Sequence, residues 1–463
     1  LPHRLFSASP AKVLGDMGRR SHTQTLSLWS NGLRVGSWSM LRDGSAQLEY
    51  DPAWMRSPKG RPISISLPFL VGNQVHKGPT VLNYFDNLLP DNPDIRKRLG
   101  SRFKTDSLEA FDLLRSVGRD CVGALQILGE NEEPKDVEHI TATALSEFEV
   151  EHLLERASSA SGFGRDDADE HDLRISLAGM QDKTALLYWK GKWRRPEGAT
   201  PTTHILKMPL GPIGRRQVDF SRSVDNEWLC LALLRAFGVD AAQASIVEFG
   251  KFRVLAVERF DRAVSDNGRW LLRLPQEDFC QVFGLPPEKK YEADGGPGME
   301  DLASVLHQSA TPEHDLQMLL KAQLLFWMLR ATDGHAKNFS IALLAGGRFQ
   351  LTPLYDVMSA WPVVGKGSHH WHSRDLKLAM ALKGKNKHYA CDQIARRHFN
   401  SAARHIRYAQ NMDHIVEETL ASVELAIQAV ESKLPAGLCE HVTEKIFEGL
   451  RFSAKRLGGQ PSV

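Results

Sequence analysis

The run from residue 331 to residue 356 constrains this chain more than any other segment. It reads ATDGHAKNFSIALLAGGRFQLTPLYD. Two short apolar-rich stretches flank Ala345-Gly346-Gly347, which predicts an antiparallel hairpin. The open end of that hairpin would bring Asn338 and Asp356 together, with Asp333 in a loop five residues before Asn338. Two carboxylates and one amide are hard oxygen donors. They suit Mg2+, which takes few protein ligands and keeps phosphate oxygens and water.

The Asp-x-x-x-x-Asn spacing is also that of a kinase catalytic loop, with a later metal-binding Asp. In that scheme Asp333 orients or deprotonates a hydroxyl, while Asn338 and Asp356 hold the metal on ATP phosphates. Such a site needs a strand lysine for the phosphates and a helix acid to hold it. Lys207 ends an alternating run that begins at Thr203, and Glu227 sits early in a helix expected over 224–236, with Ser223 able to cap it. Taken singly, a surface lysine, a surface glutamate and an Asp-Gly turn are each ordinary. Their order along the chain is what points to a phosphotransferase. The phosphate loop is unusual: ISLAGMQDK at 175–183 has one glycine, and by pattern it is also a plain strand–turn–strand around Gly179.

The rest of the chain sorts into units. Residues 25–50 alternate as three short strands, with Asn31-Gly32 and Asp43-Gly44 suited to type I′ turns. Helical pattern follows over 81–114, and this unit ends near residue 128. Residues 173–260 are β-rich, and the chain beyond 261 is mostly helical, with apolar steps at Leu316, Leu320, Leu324 and Trp327, and at Val416, Leu420, Val423, Ile427 and Val430. The expected divisions are a basic arm over 1–22, a β-rich subdomain over 23–130, a nucleotide-binding lobe over 131–260 and a C-terminal lobe over 261–463.

Charge is unevenly spread. Residues 130–172 hold 14 acidic against three basic residues, a net of −11, and read as a connection carrying one helix over 147–156, with Ser146 and Glu149 spaced as a capping box. Residues 366–407 hold ten Lys+Arg against two Asp, a net of +8, which suits either a phosphate-backbone surface or a solvated helical face. His369, His370 and His372 read as a solvated loop, because no acidic or Cys partner is near in sequence. Five dispersed cysteines contain no CxxC and fit a reducing, cytoplasmic setting. No apolar run is long enough for a membrane span, and residues 1–20 lack the apolar run of a secretory leader.

Several ordered motifs resemble the HipA family of bacterial Ser/Thr protein kinases, the toxin half of a toxin–antitoxin pair. They are FDNLLPD at 85–91, GRDCVGA at 118–124, RISLAGMQDKTALL at 174–187, DNE at 225–227, LPQED at 274–278, GGPG at 295–298 and TDGHAKNF at 332–339. The resemblance implies an α+β, two-lobed protein-kinase-like fold with an extra N-terminal β-rich subdomain and an all-helical C-terminal lobe. It implies ATP and Mg2+ as cofactors. Ala178, Gly179, Met180, Gln181, Asp182, Lys183 and Lys207 would touch ATP phosphates, and Glu258, Arg259 and Phe260 would form the adenine hinge. His335, Ala336, Lys337 and Asn338, with Tyr355 and Asp356, would line the nucleotide site, and Asp333 would be the catalytic base. Ser176 matches the family's autophosphorylation position, where a phosphate would switch the kinase off by repulsion.

The resemblance also implies partners: a helix-turn-helix antitoxin dimer, operator DNA reached through that complex, and a protein substrate such as an aminoacyl-tRNA synthetase. Arg404 and Arg407 match DNA-contacting positions, with Arg396 and Arg397 nearby. Two other readings stay open at this point. One is a catalytically silent kinase-fold co-repressor bound to antitoxin and operator. The other is a small-molecule kinase of the aminoglycoside-phosphotransferase type, which shares the Asp/Asn/Asp logic.

Overall fold

The computed structural model describes residues 22–158 and 177–460. Most of the expected arm at 1–22, and Ser176 with the residues just before it, lie outside the described residues.

The first unit is a five-stranded antiparallel sheet in the spatial order His76–Lys77, Ala46–Tyr50, Leu33–Met40, Gln24–Ser30, Leu125–Gly129. Asn31 and Gly32 both take left-handed φ (47° and 82°), as a type I′ turn requires. The Asp43-Gly44 turn differs from expectation. Only Gly44 is left-handed, and Leu41 N–H donates to Ser45 O, so a type I turn plus a glycine bulge closes this hairpin. Helices Pro79–Asp86 and Ala110–Val117 cover one face, where Trp38 stacks on Phe85 at 3.9 Å and meets Phe111 edge-on at 4.9 Å.

The second sheet has six strands in the order Ala244–Phe249, Phe252–Glu258, His204–Lys207, Lys183–Trp189, Lys192–Pro196, Ala142–Ala144. Helix Glu147–Ser158 packs on it through Val150 and Leu154. The capping box forms: Glu149 N–H donates to Ser146 Oγ (3.3 Å) and Ser146 N–H to Glu149 Oε2 (2.7 Å). Ser223, by contrast, is no cap. It lies inside helix Ser223–Ala236, and its hydroxyl accepts from Leu210 N–H instead (3.0 Å).

Helix Pro312–Leu329 is buried on nearly every side and forms the axis of the C-terminal part. The expected single helix over 416–430 is two helices, Asp413–Ala421 and Val423–Glu431, broken at Ser422 (φ −91°, ψ −2°). A one-residue break leaves the apolar spacing intact, so periodicity does not register it. Nor is this lobe all-helical. Hairpin Arg262–Val264/Leu271–Arg273, the three-stranded Gln276–Asp278/Ser340–Leu343/Phe349–Leu351 and hairpin Lys377–Lys383/Lys387–Ala390 are inserted among the helices. Of these, only the pairing of Ser340–Leu343 with Phe349–Leu351 was expected from the sequence; the others lie within stretches read as helical. No helix among the described residues is long and apolar enough to cross a membrane.

Candidate active site

The hairpin expected after Asn338 is present, with Ile341 opposite Leu351 and Leu343 opposite Phe349. Its open end faces a cleft between the six-stranded sheet and the helical lobe. Asn338 and Asp356 both line this cleft, as do Asp333 and Lys207.

Lys207 ends its strand with its side chain 8% exposed. An isolated ammonium there would be costly. Two carboxylates offset this: Glu227 Oε1 lies 2.6 Å from Nζ and Asp356 Oδ1 lies 2.9 Å away. Burial disfavours the lysine's charge, but these two carboxylates outweigh it and hold its pKa above the ordinary lysine value. Burial would likewise raise Asp356, yet Lys207 and Lys183 hold it well below the usual carboxylate range. Asp356 is also a non-glycine residue at φ 60°, a strained conformation of the kind that clusters at functional sites.

Asp333 follows helix Pro312–Leu329, which ends on left-handed Arg330. Its side chain, about one third exposed (34%), opens into the cleft and accepts a 2.5 Å hydrogen bond from the Tyr291 hydroxyl. Enclosure by protein pushes its pKa up to about 6, against the opposing pull of Lys290 and that hydroxyl. The Asn338 amide nitrogen donates to Asp333 O at 2.8 Å. That bond commits the nitrogen end and leaves Oδ1 as the end able to meet a cation. Among the described residues no group of three or more His, Cys, Asp or Glu could hold a metal. One amide oxygen and one carboxylate instead fit Mg2+, whose remaining ligands are phosphate and water.

The other catalytic-segment residues face different ways. His335 is buried and lines the cleft, its Nδ1 has no partner, and burial drives its pKa well below the usual value, so the ring is neutral. Ala336 does not face the cleft; it is fully buried and its N–H donates to Lys290 O (3.2 Å). Lys337 Nζ turns to Asp91 Oδ1 (2.9 Å) and Asn87 Oδ1 (3.0 Å). Tyr355 donates its hydroxyl to Lys337 O (2.8 Å), and its ring lies 5.9 Å from that of Phe260.

The segment Glu258-Arg259-Phe260 leaves the strand Phe252–Glu258 along one side of the cleft. The Arg259 main-chain N–H donates to Thr203 O (2.9 Å). Its guanidinium turns into a buried cluster with Asp261 (2.8 Å) and Asp120 (3.2 Å), and Asp120 also receives Arg262 and Arg273.

In the loop 178–183, Lys183 Nζ donates to Ala178 O (2.7 Å), and Gly179 takes a left-handed φ of 108°. Gln181 donates to Met208 O. Asp182 pairs with Arg98 and does not line the cleft. Lys183 stands directly opposite Lys207 in the strand register, and burial together with that neighbouring charge pushes its pKa down to about 8. Two adjacent ammonium groups at the cleft wall are a repulsion that a polyphosphate would relieve.

Of the four arginines expected on DNA, Arg397, Arg404 and Arg407 are exposed. Arg396 is buried, paired to Asp413 (2.7 Å) and Glu417 (2.5 Å), so it is corrected to a structural residue. Sequence reasoning missed Tyr291, Lys290, Asp91 and Asp120 as neighbours of the site. Asp91 and Asp120 lie inside two of the motifs quoted above, but nothing in a linear pattern says which distant residue each one meets.

Comparison with known proteins follows the same division. The HipA N-terminal domain family matches residues 26–128, and the HipA-like C-terminal domain family matches residues 175–427. A relative from Sinorhizobium fredii named as a kinase homologue, Y4mE, is 32% identical over 340 residues, covering 73% of this chain and 77% of that one. The serine/threonine-protein kinase toxin HipA of Shewanella oneidensis is 27% identical over 351 residues, covering 73% and 75%. A solved Shewanella oneidensis HipA, in complex with HipB and operator DNA, superposes with a TM-score of 0.74 at 21% identity, covering 94% of this chain and 97% of that one.

Proposed function

This chain belongs to the HipA family, and from that premise we propose that it is an ATP- and Mg2+-dependent serine/threonine protein kinase acting as a growth-arrest toxin. The observation that carries the reading is the arrangement around Lys207. One buried ammonium is held by Glu227 and Asp356 beside a carboxylate, Asp333, whose pKa lies within reach of neutral pH.

In this reading Lys207 and Lys183 hold the ATP phosphates, and the residues 258–260 hold the base. Mg2+, bound through Asn338 and Asp356, would neutralise charge on the phosphate oxygens. Asp333 orients the substrate hydroxyl and takes its proton as the oxygen bonds to the γ-phosphorus. The bond from that phosphorus to the β,γ-bridging oxygen breaks, and ADP leaves. A base with a pKa near 6 is ionised at neutral pH and still basic enough to accept the proton. Neutral His335 adds no competing charge.

The expected substrate class is a translation-related protein such as an aminoacyl-tRNA synthetase, with autophosphorylation at Ser176 as the off-switch. A helix-turn-helix antitoxin of the HipB kind would restrain it in the cytoplasm and carry it to operator DNA. The exposed Arg397, Arg404 and Arg407 support that placement. The test is incubation with labelled Mg·ATP followed by mass spectrometry. Phosphate should appear on Ser176 and be abolished by Asp333→Gln or Asp356→Gln. Operator binding with antitoxin but no turnover would favour the silent co-repressor.

A further inference from the structure

Asp91 is a carboxylate at the cleft to which the kinase reading gives no role. Asp91 ends the FDNLLPD motif of the N-terminal subdomain, more than 80 residues before the phosphate loop. Its two oxygens are divided between two lysines, with Oδ1 2.9 Å from Lys337 Nζ and Oδ2 2.9 Å from Lys290 Nζ. Its main-chain N–H donates to Gly179 O at 3.0 Å, and neighbouring Asn92 reaches Met180 O at 3.3 Å. The side chain is 8% exposed.

Each of those contacts leads to a different part of the site. Gly179 is the left-handed residue of the phosphate loop. Lys337 is next to Asn338. Lys290 accepts the Ala336 N–H at its carbonyl and precedes Tyr291, whose hydroxyl meets Asp333. One residue of the N-terminal subdomain thus ties together the phosphate loop, the catalytic segment and the tyrosine on the base.

We infer that Asp91 is a positioning residue for phosphoryl transfer, so that the N-terminal subdomain is a working part of the catalytic unit. This rests on the kinase reading above. Asp91 holds two ammonium groups back from the carboxylates and phosphates of the cleft while fixing the main chain around Asn338. Without its charge, Lys290 loses its carboxylate and Lys337 keeps only Asn87 and, at 3.9 Å, Asp278, so both ammonium groups are held less firmly away from the phosphates. Nucleotide would then bind at least as well, but the reacting groups would be misplaced, and small misplacements are costly in rate.

The test compares Asp91→Asn, Asp91→Glu and wild type in two assays: affinity for Mg·AMP-PNP by calorimetry, and single-turnover transfer from labelled Mg·ATP. For Asp91→Asn we expect transfer to fall about 10- to 100-fold with AMP-PNP affinity unchanged or tighter, and Asp91→Glu to recover part of the rate. If Asp91→Asn does not fold, Lys290→Met, which keeps the Asp91–Lys337 pair, should show the same split in smaller measure. A wild-type transfer rate in the folded variants, or rate and affinity falling together, overturns the inference. Wild type that neither binds AMP-PNP nor transfers phosphate overturns the kinase reading itself.

Discussion

Lys207 Nζ sits 2.9 Å from Asp356 Oδ1, although 149 residues separate them in the chain. The contact joins the strand His204–Lys207 of one lobe to the end of the hairpin in the other, so the two lobes are already closed on each other at this end of the cleft.

Replacing that lysine therefore has two consequences. Lys207→Met leaves Glu227 and Asp356 facing each other without the cation between them, which should cost about 3–5 kcal/mol of stability. It should also abolish phosphate transfer. Urea unfolding and labelled-ATP incorporation measure the two effects separately. Unchanged stability would mean that the buried pair is not formed in solution.

Asp333 must be ionised to accept a proton, and its pKa is about 6. Transfer rate should rise with pH through that value and level off above it. The Tyr291 hydroxyl bond lowers this pKa, so Tyr291→Phe should move the acid limb to higher pH. A limb that stays put in the pH–rate profile would separate Tyr291 from the base.

Glu277 offers a stability prediction independent of activity. It is buried where the N-terminal subdomain meets strand Gln276–Asp278; one oxygen accepts Ile65 N–H (2.8 Å) and the other has no partner. Burial raises its pKa from 4.5 to about 8. Between those values the folded chain keeps a proton that the unfolded chain has released. The contribution is therefore full below about pH 4.5, declines as pH rises and is lost above about 8. Glu277→Gln should flatten that decline, gaining on wild type at pH 8 relative to pH 5 in thermal melts.

The basic face separates binding from folding. Charge removal at Arg404 and Arg407 should lower the salt slope of operator binding by about one unit per lost phosphate contact. Arg396→Ala should leave the slope alone and instead cost about 1.5–3 kcal/mol of stability, because its charged hydrogen bonds to Asp413 and Glu417 are lost. Fluorescence anisotropy across a salt series distinguishes them.

What the sequence determined is local or periodic. The Asn31-Gly32 turn, the Ser146/Glu149 cap and the hairpin between Asn338 and Asp356 were legible because neighbouring residues specify each of them. So was the order strand lysine, helix acid, Asp/Asn/Asp, which is a property of the chain itself. What only the tertiary structure decided is where long side chains point. Arg259 and Arg396 look like any solvent-seeking arginines in sequence, yet both are buried because carboxylates elsewhere in the fold offset the cost of burying their charge. Asp91 is the same case in reverse. A carboxylate in an apolar motif gives no sign of two lysines about 200 and 246 residues away, since Coulomb attraction acts across space and leaves no period in the chain.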